Sequence, residues 1–120
     1  MSDMDKNFAE SFAEEWIRAW NSHDLEQILS HYADDFEMSS PKIISIAGEP
    51  SGTLKGRKAI GPYWSKALAL RPALHFELIR VFTGVDSVTI HYSNDAGQSA
   101  AEVFHFDSSK RVVKAFAHYA

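Results

Sequence analysis

The chain contains no cysteine. Disulfide bridges, thiolate nucleophiles and sulfur-ligated metals are therefore excluded, and the composition fits a reducing compartment. Basic residues are also scarce: 12 Lys and Arg stand against 16 Asp and Glu, a net charge of -4. Nonspecific binding to nucleic acid or to an anionic membrane needs clustered Lys and Arg. The densest group here, Lys55, Arg57 and Lys58, is interrupted by Gly56 and is too small to track phosphates. No apolar run approaches the roughly 20 residues of a membrane span, and Met1–Asn7 has no basic stretch followed by an apolar one. The expectation is a cytoplasmic protein with neither nucleic acid nor membrane as partner. Gly48, Gly52 and Gly56 lie too far apart for a phosphate loop, and no Gly-x-Ser-x-Gly elbow supports acyl-transfer serine chemistry.

What is present suits one globular domain. A length of 120 residues allows a single buried core, and 45% hydrophobic with 23% charged residues is ordinary for such a core. Phe8, Phe12, Trp16 and Trp20 recur every fourth residue beside Ala9, Ala13 and Ile17, with Glu10, Glu14, Glu15 and Arg18 on the other side. This is the pattern of an amphipathic surface helix. Residues 1–7 precede it as a loosely ordered N-terminus. Asn21-Ser22-His23 breaks the helix, and Asp24 caps a second one whose apolar face is Leu25, Ile28, Leu29 and Tyr32. Phe36–Ser40 alternates and stops at Pro41, which marks a short strand. Ile43, Ile44 and Ile46 suggest extended chain before the turn cluster Gly48–Gly52. A third helix over residues 57–71 ends ahead of Pro72. Pro62 inside it costs about 3 kcal/mol unless the helix breaks, so a break at Gly61 is expected.

From Ala73 onward the period falls to two. Leu74, Phe76 and Leu78, then Val88, Ile90 and Tyr92, then Ala100, Glu102, Phe104 and Phe106 each alternate with polar or smaller neighbours. A last strand runs from Arg111 to Tyr119. Short turns at Thr83–Asp86, Asn94–Gly97 and Asp107–Ser109 join the strands into an antiparallel meander.

The chain resembles the nuclear transport factor 2-like superfamily, in particular its small SnoaL-like and ketosteroid isomerase-like members. The residues that carry the likeness are Trp20-Asn21-x-x-Asp24-Leu25-x-x-Ile28, Tyr32-Ala33-Asp34-Asp35, Pro41, Gly56-Arg57-x-Ala59-Ile60 and Arg111-Val112-Val113. The resemblance implies an α+β cone: three N-terminal helices packed on a curved, mostly antiparallel sheet, enclosing a small-molecule pocket. It also implies a homodimer through the outer sheet face. Against the isomerase pattern, Trp16 stands at the first-helix tyrosine position, Ser40 at the general-base position and Glu102 at that of a second acid. An indole donates one hydrogen bond and accepts none, and a serine hydroxyl is a very weak base. The resemblance therefore does not bring the steroid-isomerase mechanism with it.

Glu102 is the residue of most chemical interest. It shares its strand face with apolar side chains, a setting that raises a carboxyl pKa and suits acid–base work. The alternatives are a solvent-facing register, or pairing with Arg80 or Lys114. Ser40, Tyr32 and His118 are candidate assistants. Trp16, Trp20, Tyr32, Met38, Tyr63, Trp64, Phe104 and Tyr119 are candidate ligand-binding residues. His23, His31, His75, His91, His105 and His118 show no zinc-type spacing, so neither metal nor cofactor is expected. His75, His91 and His105 fall opposite the inward runs. Asp34-Asp35 reads as a solvated helix-to-strand junction. Three functions stay open: a pocket for an apolar or aromatic metabolite, an enzyme using Glu102, or an interaction domain with a filled core.

Overall fold

The computed structural model describes residues 4–120. Helix α1, Lys6–Ser22, buries Ala9, Phe12, Ala13, Trp16, Ala19 and Trp20, the stripe that its four-residue spacing dictates. The Asp5 side chain caps it by accepting from the Asn7 N–H. His23 ends it in the left-handed region at φ 60°, and its N–H bonds back to the Trp20 carbonyl. Helix α2 is short, Leu25–Leu29, and the Asp24 carboxylate caps the N–H groups of Glu26 and Gln27. Of the expected loose residues 1–7, residues 1–3 lie outside the described chain. Met4 is buried and donates its N–H to the Gly84 carbonyl, so the described part of that segment is held in place.

Strands β1 (Tyr32–Ser39), β2 (Thr53–Lys55), β3 (Glu77–Thr83), β4 (Ser87–Ser93), β5 (Ser99–Phe106) and β6 (Val112–Tyr119) form one sheet, ordered β2-β1-β6-β5-β4-β3. Only the β1–β6 pair is parallel. The register sets both faces. Val81, Ile90, Glu102 and Ala117 form one cross-strand row, and Leu78, Tyr92, Ala100 and Tyr119 form another. The buried members of these rows face the helices, so Glu102 points inward with Ile90 and Ala117 at its sides. Phe82, Thr89, Val103 and Phe116 form an outward row, as do Arg80, His91, Ala101 and His118. Register shifts interrupt the β1–β6, β3–β4 and β5–β6 ladders, and such irregularities bend a sheet.

Four expectations need correction. Tyr32 begins β1 instead of closing the second helix, so Asp34 and Asp35 stand exposed within a strand. Ile43–Ala47 is a π-helical turn, not extended chain. Ser40 accounts for this: its Oγ accepts the Lys42 N–H and its carbonyl accepts the Ile43 N–H, which turns the chain at once. Helix α3, Arg57–Leu70, is continuous through Gly61 and Pro62. Pro62 is exposed, so the Lys58 carbonyl it leaves unpaired faces the solvent side, while buried Ile60, Gly61, Tyr63 and Trp64 hold the helix in place. Finally, β3 starts at Glu77, which leaves His75 exposed in the preceding connection and off the sheet.

Two side chains lock these parts together. Arg57 donates from Nη2 to the carbonyls of Leu29 and Tyr32, at 3.0 and 2.9 Å, and so closes the end of α2. Its Nε, itself buried, lies 3.1 Å from Oδ1 of the exposed Asp34, an ion pair without an aligned hydrogen bond, which adds little. Gly56 precedes it at φ 84°, where its N–H reaches the Phe36 carbonyl at 2.7 Å. Asn21 grips the Phe76 backbone from both sides: Nδ2 donates to the carbonyl at 3.0 Å and Oδ1 accepts the N–H at 2.7 Å. His23 Nε2 sits 2.8 Å from the Leu74 carbonyl. The end of α1 is thereby fastened to the chain that leads into β3. Asn21→Ala leaves the part-buried Phe76 N–H and carbonyl unpartnered and should cost about 1–3 kcal/mol. Urea unfolding, with the slope unchanged and the midpoint lowered, checks this.

Candidate active site

Between the helices and the inner sheet face lies a cavity of about 310 Å³. Its floor is Ala100, Glu102, Tyr92 and Tyr119 from the meander and Met38 from β1; its walls include Trp16 and Trp20 from α1 and Tyr63, Trp64 and Ala67 from α3. The rim comes from three connections: Lys42, Ser45 and Ile46 around the π-helical turn, Arg71, Leu74 and Phe76 after α3, and Asn94 after β4. Lys66 Nζ donates to the Ile46 carbonyl at 3.0 Å, and Arg71 Nη2 meets Asp95 Oδ1 at 2.6 Å, so two of the rim segments are tied down.

Among the described residues, Glu102 is the one carboxylate on this lining. It is 4% exposed, and the Tyr92 hydroxyl donates to its Oε1 at 3.2 Å. Burial disfavours the charged form and lifts its pKa from 4.5 to about 7; the Tyr92 hydrogen bond and the positive Lys42 restrain the rise. The surrounding phenols feel the same burial. Tyr63 is pushed up to about 12, and Tyr32, Tyr92 and Tyr119 are raised as well, with the Glu102 carboxylate adding to the effect in all four. The phenols remain protonated donors while the carboxyl titrates near neutrality.

The cavity gathers Trp16, Trp20, Met38, Tyr63, Trp64, Tyr119 and Glu102 from the sequence-derived candidates. Tyr32 and Phe104 are not on its lining. Tyr32 is wholly buried behind it, its ring tilted 4.4 Å from that of Phe36 and edge-on 5.1 Å from that of Trp64, with its hydroxyl accepting the Trp16 indole N–H at 2.9 Å. Phe104 packs against Phe12 and Trp16 in solid core, because its row continues through Val88 and Ala115. Ser40 is buried but off the lining, its hydroxyl engaged in starting the turn. His118 lies on the opposite sheet face and cannot assist Glu102. His91 and His105 are outward too, opposite Ala101 and Ser87.

Sequence reasoning missed Lys42, Arg71, Phe76 and Tyr92. Tyr92 and Phe76 carried a signal, since both lie in the apolar phase of their segments. Lys42 and Arg71 carried none, because only tertiary packing brings these two connections to one rim. Trp20 adds a further polar feature: among the described residues, its indole N–H is a buried donor with no partner. No group of three or more His, Asp or Glu among the described residues is placed to hold a metal ion.

Three helices over a bent six-strand sheet, with an aromatic-lined hollow between them, define the NTF2-like cone. The SnoaL-like domain family matches residues 13–116, and the chain belongs to that family. A SnoaL-like protein of unknown function from Burkholderia thailandensis E264 is 59% identical, with a TM-score of 0.95 and 99% of each chain covered. SalBIII, an epoxide hydrolase/cyclase-like enzyme with a role in pyran ring formation in the polyether salinomycin, is 15% identical with a TM-score of 0.74, covering 97% of this chain and 93% of its own. TerC, co-crystallised with polyporic acid, is 12% identical with a TM-score of 0.75, covering 93% and 91%. The latter two share the fold. No curated protein matches the chain.

The Glu102 shift carries a stability prediction. Between pH 4.5 and about 7 the folded chain retains a proton that the unfolded chain has lost, so stability falls as pH rises through that window and levels off above it. The shift corresponds to about 3 kcal/mol. Glu102→Gln keeps the shape and an acceptor for Tyr92 but cannot ionise. Denaturant unfolding should show it more stable than the native chain by about 2–3 kcal/mol at pH 8, with the difference vanishing near pH 4.5.

Proposed function

We propose that the protein binds a small, flat, largely apolar ring-bearing metabolite in the cone, and that Glu102 exchanges a proton with it. The observation that supports this reading most is the position of that carboxyl: facing an aromatic cavity, anchored by one phenol, and titrating near pH 7. A cavity of about 310 Å³ lies at the lower end of the range for small-molecule sites, and three indoles with a phenylalanine offer flat faces for ring contact. The carboxylate can take a proton from one ligand atom and, now a neutral acid, return it to another. A single group working in this way suits an isomerisation or the opening or closing of a ring. On the same fold, SalBIII has a role in pyran ring formation and TerC was co-crystallised with polyporic acid. A steroid-type route through Ser40 is not part of the proposal, since a serine hydroxyl is a very weak base and no activating base is paired with it.

A thermal-shift screen of aromatic and polyketide-type ring compounds tests binding, because a ligand that binds only the folded state raises the midpoint. For hits converted to product, Glu102→Gln should reduce turnover by about 100-fold or more while binding persists. A rate limb near pH 7 should vanish in the same variant, rising with pH if the carboxylate is the working form and falling if the acid is. Binding without conversion in the native chain would reduce the proposal to a binding protein, and turnover untouched in Glu102→Gln would remove Glu102 from it.

We also propose a homodimer through the outer sheet face. Support comes from its apolar content: Phe82 is 51% exposed and shares its row with Val103 and Phe116. Size-exclusion chromatography with light scattering should give twice the chain mass, and Val103→Asp should give the chain mass with an unchanged circular dichroism spectrum.

A further inference from the structure

The cavity carries a charge of opposite sign to the molecule. The chain has a net charge of -4, yet the Lys, Arg, Asp and Glu side chains on the lining are Lys42, Arg71 and Glu102, the last of them about half protonated at neutrality. Arg71 already has a counterion in Asp95, at 2.6 Å on the rim. Lys42 does not. Among the described residues no carboxylate comes within ion-pair distance of its ammonium, and its three N–H donors meet no acceptor.

Its surroundings make that solitude costly. The side chain is half-buried, with Nζ 4.3 Å from the centre of the Tyr119 ring, on the wall between rim and floor. A cation over a phenol face gains some attraction and keeps its N–H donors available to water or to a ligand. Burial and the nearby Arg71 both work against the positive charge and lower its pKa, while Asp95 and Glu102 give partial relief. Arg71 repels Lys42 here instead of balancing it, so two cations converge on one side of the mouth. A pocket that served a wholly apolar ligand would gain nothing from this and would have to desolvate an ammonium to be filled.

The geometry points to a ligand that carries a carboxylate, seated against Lys42 at the rim, with its ring body along Trp16, Trp20, Trp64 and Phe76 and its reacting end toward Glu102. This rests on the reading of the cavity as a ligand site and adds a charge and an orientation to it. The anion meets the three N–H donors of an unpaired ammonium, and it enters end-on with the apolar portion leading. A protonated, buried Glu102 presents no repulsion to it, whereas its ionised form would.

All three tryptophans of the chain line the cavity, so intrinsic fluorescence reads occupancy directly. Matched probes isolate the charge: 2-naphthoate against 2-naphthamide, and trans-cinnamate against trans-cinnamamide, titrated into the full chain at pH 6.5. At that pH the probe carboxylates are ionised and Glu102 is mostly protonated. Each carboxylate should bind about tenfold or more tightly than its amide, as a charge-assisted contact requires. Lys42→Met should bring that ratio close to one while leaving the amide affinity within about twofold, and raised salt should weaken only the carboxylates. Equal affinity for acid and amide in the native chain, or a ratio that survives Lys42→Met, overturns the inference while leaving the cavity a binding site. Failure of all four probes to bind counts against the site and the inference together.

Discussion

The alternation of strand β5 leaves the Glu102 carboxyl no outward option. Its neighbours in the register, Ile90 and Ala117, are inward residues of fully paired strands, and turning the glutamate to solvent would turn Ala100, Phe104 and Phe106 with it. The hydrophobic gain of three buried side chains therefore holds an ionisable group inside, against the desolvation that it suffers there. Much of the interior follows. The Tyr92 hydroxyl supplies the compensating hydrogen bond, the phenols nearby are held in their protonated form, and Lys42 is placed where its field reaches the carboxyl. None of these groups could be replaced by an apolar one without changing the protonation of the others.

The parts of the fold that could be read from sequence are those where one physical pattern acts alone. The four-residue aromatic spacing of α1 and the two-residue period of β4, β5 and β6 each reflect one buried face, and both readings agree with the structure. Misreadings arose where local preference met a tertiary demand. The isoleucines at 43, 44 and 46 favour extended chain, but Ser40 satisfies two backbone N–H groups immediately before them and the segment coils. Pro62 argues for a break, but the flanking buried residues of α3 keep the helix whole at the loss of one hydrogen bond on its wet side. For the site, inward phase made Glu102 legible, yet phase alone could not tell cavity wall from solid core. Tyr32 and Phe104 share that phase and are packed away, because α1 reaches that end of the sheet.

The likeness to solved SnoaL-like structures divides along the same line. What persists at 12–15% identity is the frame of helices and bent sheet. The devices that hold this frame, Asn21 on Phe76, Arg57 on the end of α2 and Asp24 at its start, are polar contacts to backbone and impose nothing on the ligand. The polar groups that line the cavity sit on other positions.

That separation has an evolutionary consequence. The mouth is assembled from three connections that hang from different elements and lie outside the strand ladders, so each can vary in length and side chain without changing the register. A lineage could exchange the cations at one lip, or lengthen the loop after α3, and so admit new cargo while inheriting the same acid at the base of the cone. Diversification of chemistry would then proceed from the lip inward.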